Sequence, residues 1–183
     1  GLTIEVYDIG NEIDFGILNF RAGDRVALPP GTDTNENMDY MRTNVWSIEA
    51  TLLKSAIRGV RRADPAGKIV LHAAGLGIST NNNFINTFFQ FMNEQGVDFD
   101  IAGLSYPYRH FHPMPKPYFG TLEFANTIKL LQALGKEVIV SEFSYPNSSR
   151  LEVGTLDPGY PFTPDGQAAW ARDFRAMCLN LGI

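Results

Sequence analysis

Four apolar segments of strand length alternate with longer amphipathic segments in this chain, and this alternation limits the possible folds more than any other feature. The predicted strands span residues 2–9, 68–74, 100–106 and 137–141, and the predicted helices span residues 47–62, 83–95, 121–134 and 163–181. Strands joined through helices form a parallel sheet, because right-handed crossovers bring every carboxyl end to one rim. The sequence therefore predicts an α/β fold of four consecutive βα units.

The composition is that of a globular domain. Of the 183 residues, 44% are hydrophobic and 19% are charged, which is enough for a substantial core. The net charge of -5 argues against a nucleic acid or an anionic membrane as partner. The single cysteine, Cys178, has no intrachain disulfide partner and is expected in the core. The sequence contains neither a visible signal peptide nor an apolar run of about 18 residues, the length of a membrane span. We expect residues 1–183 to form a single domain.

Two of the predicted strands run into a glutamate. Glu12 follows Asn11 after the first strand, and Glu142 follows the fourth strand directly. In a parallel sheet both side chains would lie at the same rim, where pockets of such folds form. Two carboxylates at one rim suit the cleavage of a glycosidic bond, because one can protonate the leaving oxygen while the other attacks the sugar or activates water.

Other polar and aromatic side chains follow the remaining strands. His72 lies near the end of the second strand, where a histidine is more often structural than catalytic. The loop after the third strand is rich in rings that suit either stacking against a sugar or covering the helix behind them. They are Tyr108, His110, Phe111, His112, Tyr118 and Phe119. The two histidines of this loop lack a third ligand at the spacing of a metal site.

Five stretches, in this order along the chain, resemble glycoside hydrolase family 53, the endo-β-1,4-galactanases. They are IGNEIDFGIL at 9–18, SIEATLLKSAIRGVRRADPAGKIVLHAAG at 47–75, VDFDIAGLSYP at 97–107, VIVSEFSYP at 138–146 and PFTPDGQAAW at 161–170. Members of that family are (β/α)8 barrels with catalytic glutamates on strands four and seven. The resemblance covers essentially the whole chain. It implies a partial (β/α)8 TIM barrel that holds strands four to seven only, from the C-terminal part of a catalytic domain.

The resemblance also implies roles for individual residues. Glu12 looks like the general acid/base, Glu142 like the nucleophile, and Asn11 like the partner of the sugar 2-hydroxyl. Further substrate-binding candidates are His72 as a pocket histidine, Tyr106 as the tyrosine that orients the nucleophile, Tyr108 and Tyr145. The implied reaction is the retaining hydrolysis of β-1,4-galactan or a related β-linked polysaccharide, which needs no cofactor. Because polysaccharides lie outside cells, the implied location is extracellular or in the cell envelope.

Some family positions differ in this chain. Residues 18–20 read Leu-Asn-Phe where the family has Leu-Trp-Pro, and residues 73–75 read Ala-Ala-Gly where members often have Leu-Asp-Asn-Gly. Three alternatives stay open: another β-glycanase of the same clan, a non-catalytic carbohydrate-binding barrel remnant, and a metal-dependent enzyme that uses His110 and His112. Because half a barrel has two open sheet edges, we expect a further segment of a longer polypeptide, or a second copy, to cover them.

Overall fold

A computed structural model describes residues 4–18, 20–23, 26–31, 37–74, 83–107, 122–148 and 159–183. Its strands are β1 (Val6–Asp8), β2 (Gly16–Ile17), β3 (Phe20–Arg21), β4 (Lys68–Ala73), β5 (Ile101–Pro107) and β6 (Glu137–Ser144). Its α-helices are α1 (Met38–Met41), α2 (Ser47–Ala63), α3 (Asn83–Glu94), α4 (Leu122–Ala133) and α5 (Pro164–Asn180). A 3₁₀ turn spans Ile13–Phe15, and a π-helical turn at Arg42–Trp46 joins α1 to α2.

Four of the strands form one parallel sheet in the order β1-β4-β5-β6. Each strand pairs in parallel with the next one in that order. Helices α2, α3 and α4 lie between successive strands of the sheet in the chain, so the carboxyl ends of the strands share one rim. The sheet and its alternating helices form a half-barrel. The predicted partial (β/α)8 barrel is therefore confirmed.

The core lies between the sheet and its helices. In β4 every residue after Lys68 is buried, as expected for a strand of a parallel sheet that is covered on both faces. Helix α3 places Phe84 and Phe88 against the Trp46 indole, with ring centroids 5.3 and 5.7 Å apart in edge-to-face geometry. Such aromatic pairs add to the free energy of burial and hold the helix in one orientation on the sheet.

The helix ends follow the local chemistry of the sequence. Thr163 caps α5 by accepting a hydrogen bond from the Gly166 N–H at 3.1 Å. The helix predicted to start at residue 47 is preceded by α1, which begins where the Asn37 side chain accepts from the Tyr40 N–H at 3.0 Å. The residues before Asn37 in the sequence are polar, so hydrophobic periodicity did not predict the start of α1. Among the described helices, none is both long and apolar enough to cross a membrane.

The two outer strands are less buried than the two central ones. The sequence predicted residues 2–9 as a strand buried on both faces, and this prediction is wrong, because β1 spans only Val6–Asp8 and Val6 is 43% exposed. At the opposite edge, Phe143 of β6 is 54% exposed. Strands β1 and β6 are the ends of the four-stranded order, which explains why they lack the cover that β4 and β5 have.

Candidate active site

The rim at the carboxyl ends of the strands brings together Glu12, His72 and Glu142. One side-chain oxygen of each glutamate and one ring nitrogen of the histidine all lie within 4.8 Å of one another. These residues come from three elements: the loop after β1, strand β4 and strand β6. The structure thus places the two carboxylates and the pocket histidine predicted from the sequence in a single cluster.

Glu12 is held by an unusual backbone conformation. It has φ 50° and ψ 53°, in the left-handed region that a residue with a side chain seldom occupies. It also caps the 3₁₀ turn Ile13–Phe15, in which Ile13 is 1% exposed. Left-handed residues other than glycine persist where the surrounding structure fixes them, and they concentrate at functional sites. The buried turn therefore sets the direction of the Glu12 side chain.

A hydrogen-bonded chain fixes the Glu12 carboxylate. The Ser105 hydroxyl donates to Glu12 Oε1 at 2.8 Å, and His72 Nε2 lies 2.8 Å from the same hydroxyl oxygen. Because the hydroxyl hydrogen points to Glu12, Nε2 must carry a hydrogen and donate it to Ser105. Asp8 Oδ2 lies 3.7 Å from His72 Nδ1, which is beyond hydrogen-bond distance but within electrostatic reach.

Glu142 reaches the cluster through a β-bulge. Leu104 of β5 pairs with Val140 of β6, but the next residue, Ser105, pairs with Glu142, so Ser141 is the extra residue. Without the bulge, Ser141 would face Ser105 and the glutamate would turn to the other side of the sheet. The bulge therefore brings Glu142 to the same face as Ser105 and Glu12.

Ser105 is a site residue that the sequence analysis missed. It is 1% exposed and lies in a strand whose residues are buried on both faces, so no alternation of polar and apolar residues singled it out. Its direction follows from the register, which the sequence does not give: His72, whose side chain points into the barrel, pairs with Gly103, two residues before Ser105. Residues two apart in a strand point to the same face.

Tyr106 lies on the opposite face of β5 from Ser105. It is fully buried, and its ring packs against Phe124 and Phe174 with centroid distances of 4.8 and 4.6 Å. Burial, with the nearby Cys178 as a smaller cause, raises the pKa of its phenol. The structure therefore places Tyr106 in the layer between sheet and helices, and the described contacts do not join it to the glutamates.

The remaining predicted site residues are spread around the rim. Asn11 is exposed next to Glu12. Tyr145 is 5% exposed, donates its hydroxyl hydrogen to the Tyr160 carbonyl at 2.8 Å and stacks on Trp170 at 5.1 Å, so it packs on α5. All six residues singled out in the loop after β5 lie outside the described residues: Tyr108, His110, Phe111, His112, Tyr118 and Phe119.

A second pair of carboxyl groups lies beneath the Glu12 turn. Asp14 and Glu49 are both 0% exposed. Burial raises the pKa of Asp14 to about 7, against an opposing hydrogen bond from the Ala74 N–H, and the Glu12 charge raises it further. Burial also raises the pKa of Glu49 well above its ordinary value, with the Asp14 charge as a second cause. Two such groups cannot both be ionised without a large desolvation cost.

The cluster has the donor types of a metal site as well as those of an acid–base site. Two carboxylates and an imidazole are common ligands of divalent cations. However, His72 Nε2 is engaged with Ser105 at 2.8 Å, and Nδ1 faces Asp8. A bound cation would have to displace one of these partners. The hydrogen-bonded arrangement therefore fits an acid–base site better than a metal centre.

Comparison with known proteins agrees with this geometry. A relative from Niallia circulans, described as an uncharacterized protein in the bgaB 5' region, is 29% identical over 181 residues. That alignment covers 92% of this chain but 43% of the relative, so the chain spans less than half the length of the curated protein it matches. The profile described as Glycosyl hydrolase family 53 matches residues 1–182. The chain belongs to glycosyl hydrolase family 53.

Proposed function

We propose that the protein containing this chain is a retaining glycoside hydrolase that cleaves β-1,4-galactan or a related β-linked polysaccharide. The observation that carries the proposal is the approach of the Glu12 and Glu142 carboxylate oxygens to within 4.8 Å. Retaining enzymes hold their two carboxyl groups about 5 to 5.5 Å apart, whereas inverting enzymes need about 6.5 to 9.5 Å to admit a water. The short separation supports the retaining mechanism.

In the proposed reaction, a carboxylate oxygen of Glu142 attacks the anomeric carbon while Glu12 donates a proton to the leaving oxygen. The glycosidic bond breaks and a covalent glycosyl ester forms on Glu142. Water then attacks the anomeric carbon, Glu12 takes its proton, and the ester bond breaks. Asn11, exposed beside Glu12, would donate to the sugar 2-hydroxyl, a contact that strengthens in the transition state. No cofactor takes part.

The hydrogen bond from Ser105 determines which Glu12 oxygen carries the proton for the leaving group. Because the hydroxyl donates to Oε1, the proton to be transferred is carried on Oε2. His72 in turn orients the hydroxyl through its Nε2–H. Fixed donors that place an acid within reach of the leaving oxygen lower the barrier by avoiding reorganisation during the reaction.

The proposal also covers the substrate, the location and the partners of the protein. Galactan is inferred from the family, and a secreted or envelope-bound enzyme follows from a polysaccharide substrate. The exposed Val6 and Phe143 at the two sheet edges favour a completing segment of a longer polypeptide, or a second copy of the chain, as the cover of β1 and β6. A polar active-site rim and a net charge of -5 favour neither a nucleic acid nor a membrane as partner.

The test is hydrolysis of β-1,4-galactan by the full-length protein and by its Glu142→Gln variant. We expect the substitution to abolish hydrolysis and NMR to show that the wild type releases a product of retained anomeric configuration. The matched control is Glu137→Gln, on the same strand but at an exposed ion pair with Lys68. An inert wild type on every β-glycan offered would favour the non-catalytic binding protein, and loss of activity with a chelator would favour the metal-dependent enzyme.

A further inference from the structure

The turn that carries Glu12 is tied to the rest of the barrel by Asp14. Its Oδ1 accepts a hydrogen bond from the Ala74 N–H at 2.6 Å, directly after β4. Its carbonyl accepts from the Trp46 indole N–H at 2.9 Å. The turn is therefore attached both to the strand that holds His72 and to the start of α2. These two bonds help to keep the turn, and with it the left-handed Glu12, in place.

The other Asp14 oxygen is buried, and the Asp14 charge lies close enough to Glu49 to raise the pKa of that carboxyl group. Asp14 Oδ2 and both Glu49 oxygens are buried and have no hydrogen-bond partner among the described residues. A buried carboxylate oxygen without a donor is costly, and an ionised pair would be more so. A proton on either group removes one of the two buried charges.

We propose that Asp14 is a positioning residue for Glu12, because its hydrogen bond from the Ala74 N–H ties the Ile13–Phe15 turn to the end of β4. This inference rests on the proposed function, because it assigns Asp14 to the alignment of the general acid. Asp14 touches neither substrate nor reacting atoms. It acts through the backbone of the Ile13–Phe15 turn, which sets where the Glu12 carboxyl points.

The experiment compares Asp14→Ala with Asp14→Asn in the full-length protein. Asparagine keeps an oxygen for the Ala74 N–H, whereas alanine does not. On the polysaccharide we expect Asp14→Ala to lower kcat/KM by about 10- to 100-fold, the effect of a misplaced catalytic group, and Asp14→Asn to stay within about 3-fold of wild type. The control is Asp98→Asn, at a carboxylate 71% exposed.

A second substrate separates positioning from general damage. In an aryl β-glycoside with an acidic phenol, the phenol leaves without being protonated. The kcat/KM for this substrate therefore does not need an aligned general acid. We expect the Asp14→Ala defect to shrink to about 3-fold or less on this substrate, since only the acid step is impaired. An equal loss on both substrates, or full activity of Asp14→Ala on the polysaccharide, would overturn the proposal.

Hydrogen exchange tests the same inference without any activity. In Asp14→Ala, the amides of the Ile13–Phe15 turn and of Ala74 should exchange faster than in wild type, while Asp14→Asn should protect them. If the wild type hydrolyses no glycan, the proposed function fails. The hydrogen-exchange comparison still decides whether Asp14 holds the turn. Unchanged exchange in Asp14→Ala would overturn the inference by itself.

Discussion

Glu12 and Glu142 face each other across the rim, yet the chain holds them by different means. Glu12 is half-buried in a left-handed conformation, bonded to Ser105 and carried on a buried turn. Glu142 is exposed and lies on the edge strand β6, where a bulge sets its direction. The proposed acid/base is thus positioned by β4, β5 and the turn within this chain. The proposed nucleophile lies at the sheet edge, where the proposed cover of β6 would complete its surroundings.

The largest effect should come from removing each glutamate in turn. Azide, supplied as an external nucleophile, then reports the role of the glutamate that is missing. We expect Glu142→Ala to lower kcat by at least roughly 10⁴-fold, because the covalent route is lost. With azide and an aryl β-glycoside, Glu142→Ala should give the α-glycosyl azide, since azide enters on the face that the nucleophile has vacated. Glu12→Ala should give the β-glycosyl azide from the intact covalent intermediate. NMR of the products checks both, and the reverse pattern would exchange the two assignments.

A smaller effect should follow from removing the support that only Glu12 has. Ser105→Ala deletes the donor to Oε1 and leaves His72 Nε2 without its acceptor. We expect kcat/KM on the polysaccharide to fall by about 10- to 100-fold, as for other losses of a positioning contact. The control is Ser55→Ala, an exposed residue of α2 whose hydroxyl donates to the Thr51 carbonyl. An unchanged rate in Ser105→Ala would mean that the turn alone aligns Glu12.

The difference between the two glutamates also explains what could be predicted from the sequence. The βα order, the bounds of α2 and α3 within about one residue, and the convergence of Glu12 with Glu142 follow from hydrophobic periodicity and from parallel topology. Ser105 and the bulge at Ser141 could not be predicted, because they depend on the register between two strands. The burial of Tyr106 follows from the same register. The burial of Glu49 could not be predicted either, because a glutamate in the first turn of a helix is ordinarily solvated.

The bulge region near Glu142 can be perturbed through Gly103. A Cβ at this position would lie 2.2 Å from Ser141 Oγ and 2.9 Å from Val70 Cγ1. We expect Gly103→Ala to lower the free energy of unfolding by about 1 to 3 kcal/mol, as overpacked cores do. Gly59→Ala is the matched control: its Cβ meets nothing within 4 Å in the middle of α2, so it should stabilise by about 0.4 to 1 kcal/mol. Denaturant unfolding measures both, and equal effects would show that β5 and β6 have room to separate.

The last expected effect concerns pH and the support beneath Glu12. The pKa of Asp14 is raised in the folded state to about 7 from its ordinary value of 3.8, so the folded protein keeps a proton that the unfolded chain releases. Its contribution to stability is therefore complete below about pH 4 and is lost as the pH rises through about 7. Between pH 5 and pH 8 we expect Asp14 to account for a loss of about 2 to 3 kcal/mol in the free energy of unfolding.

Thermal unfolding at the two pH values checks this in wild type and in Asp14→Asn. The asparagine cannot ionise, so its melting temperature should fall less between pH 5 and pH 8 than that of wild type. Glu94→Gln, which removes an exposed carboxylate from α3, should leave the pH dependence unchanged. If Asp14→Asn follows the wild-type curve, the buried pair does not titrate on unfolding. The support of Glu12 would then be independent of pH in this range.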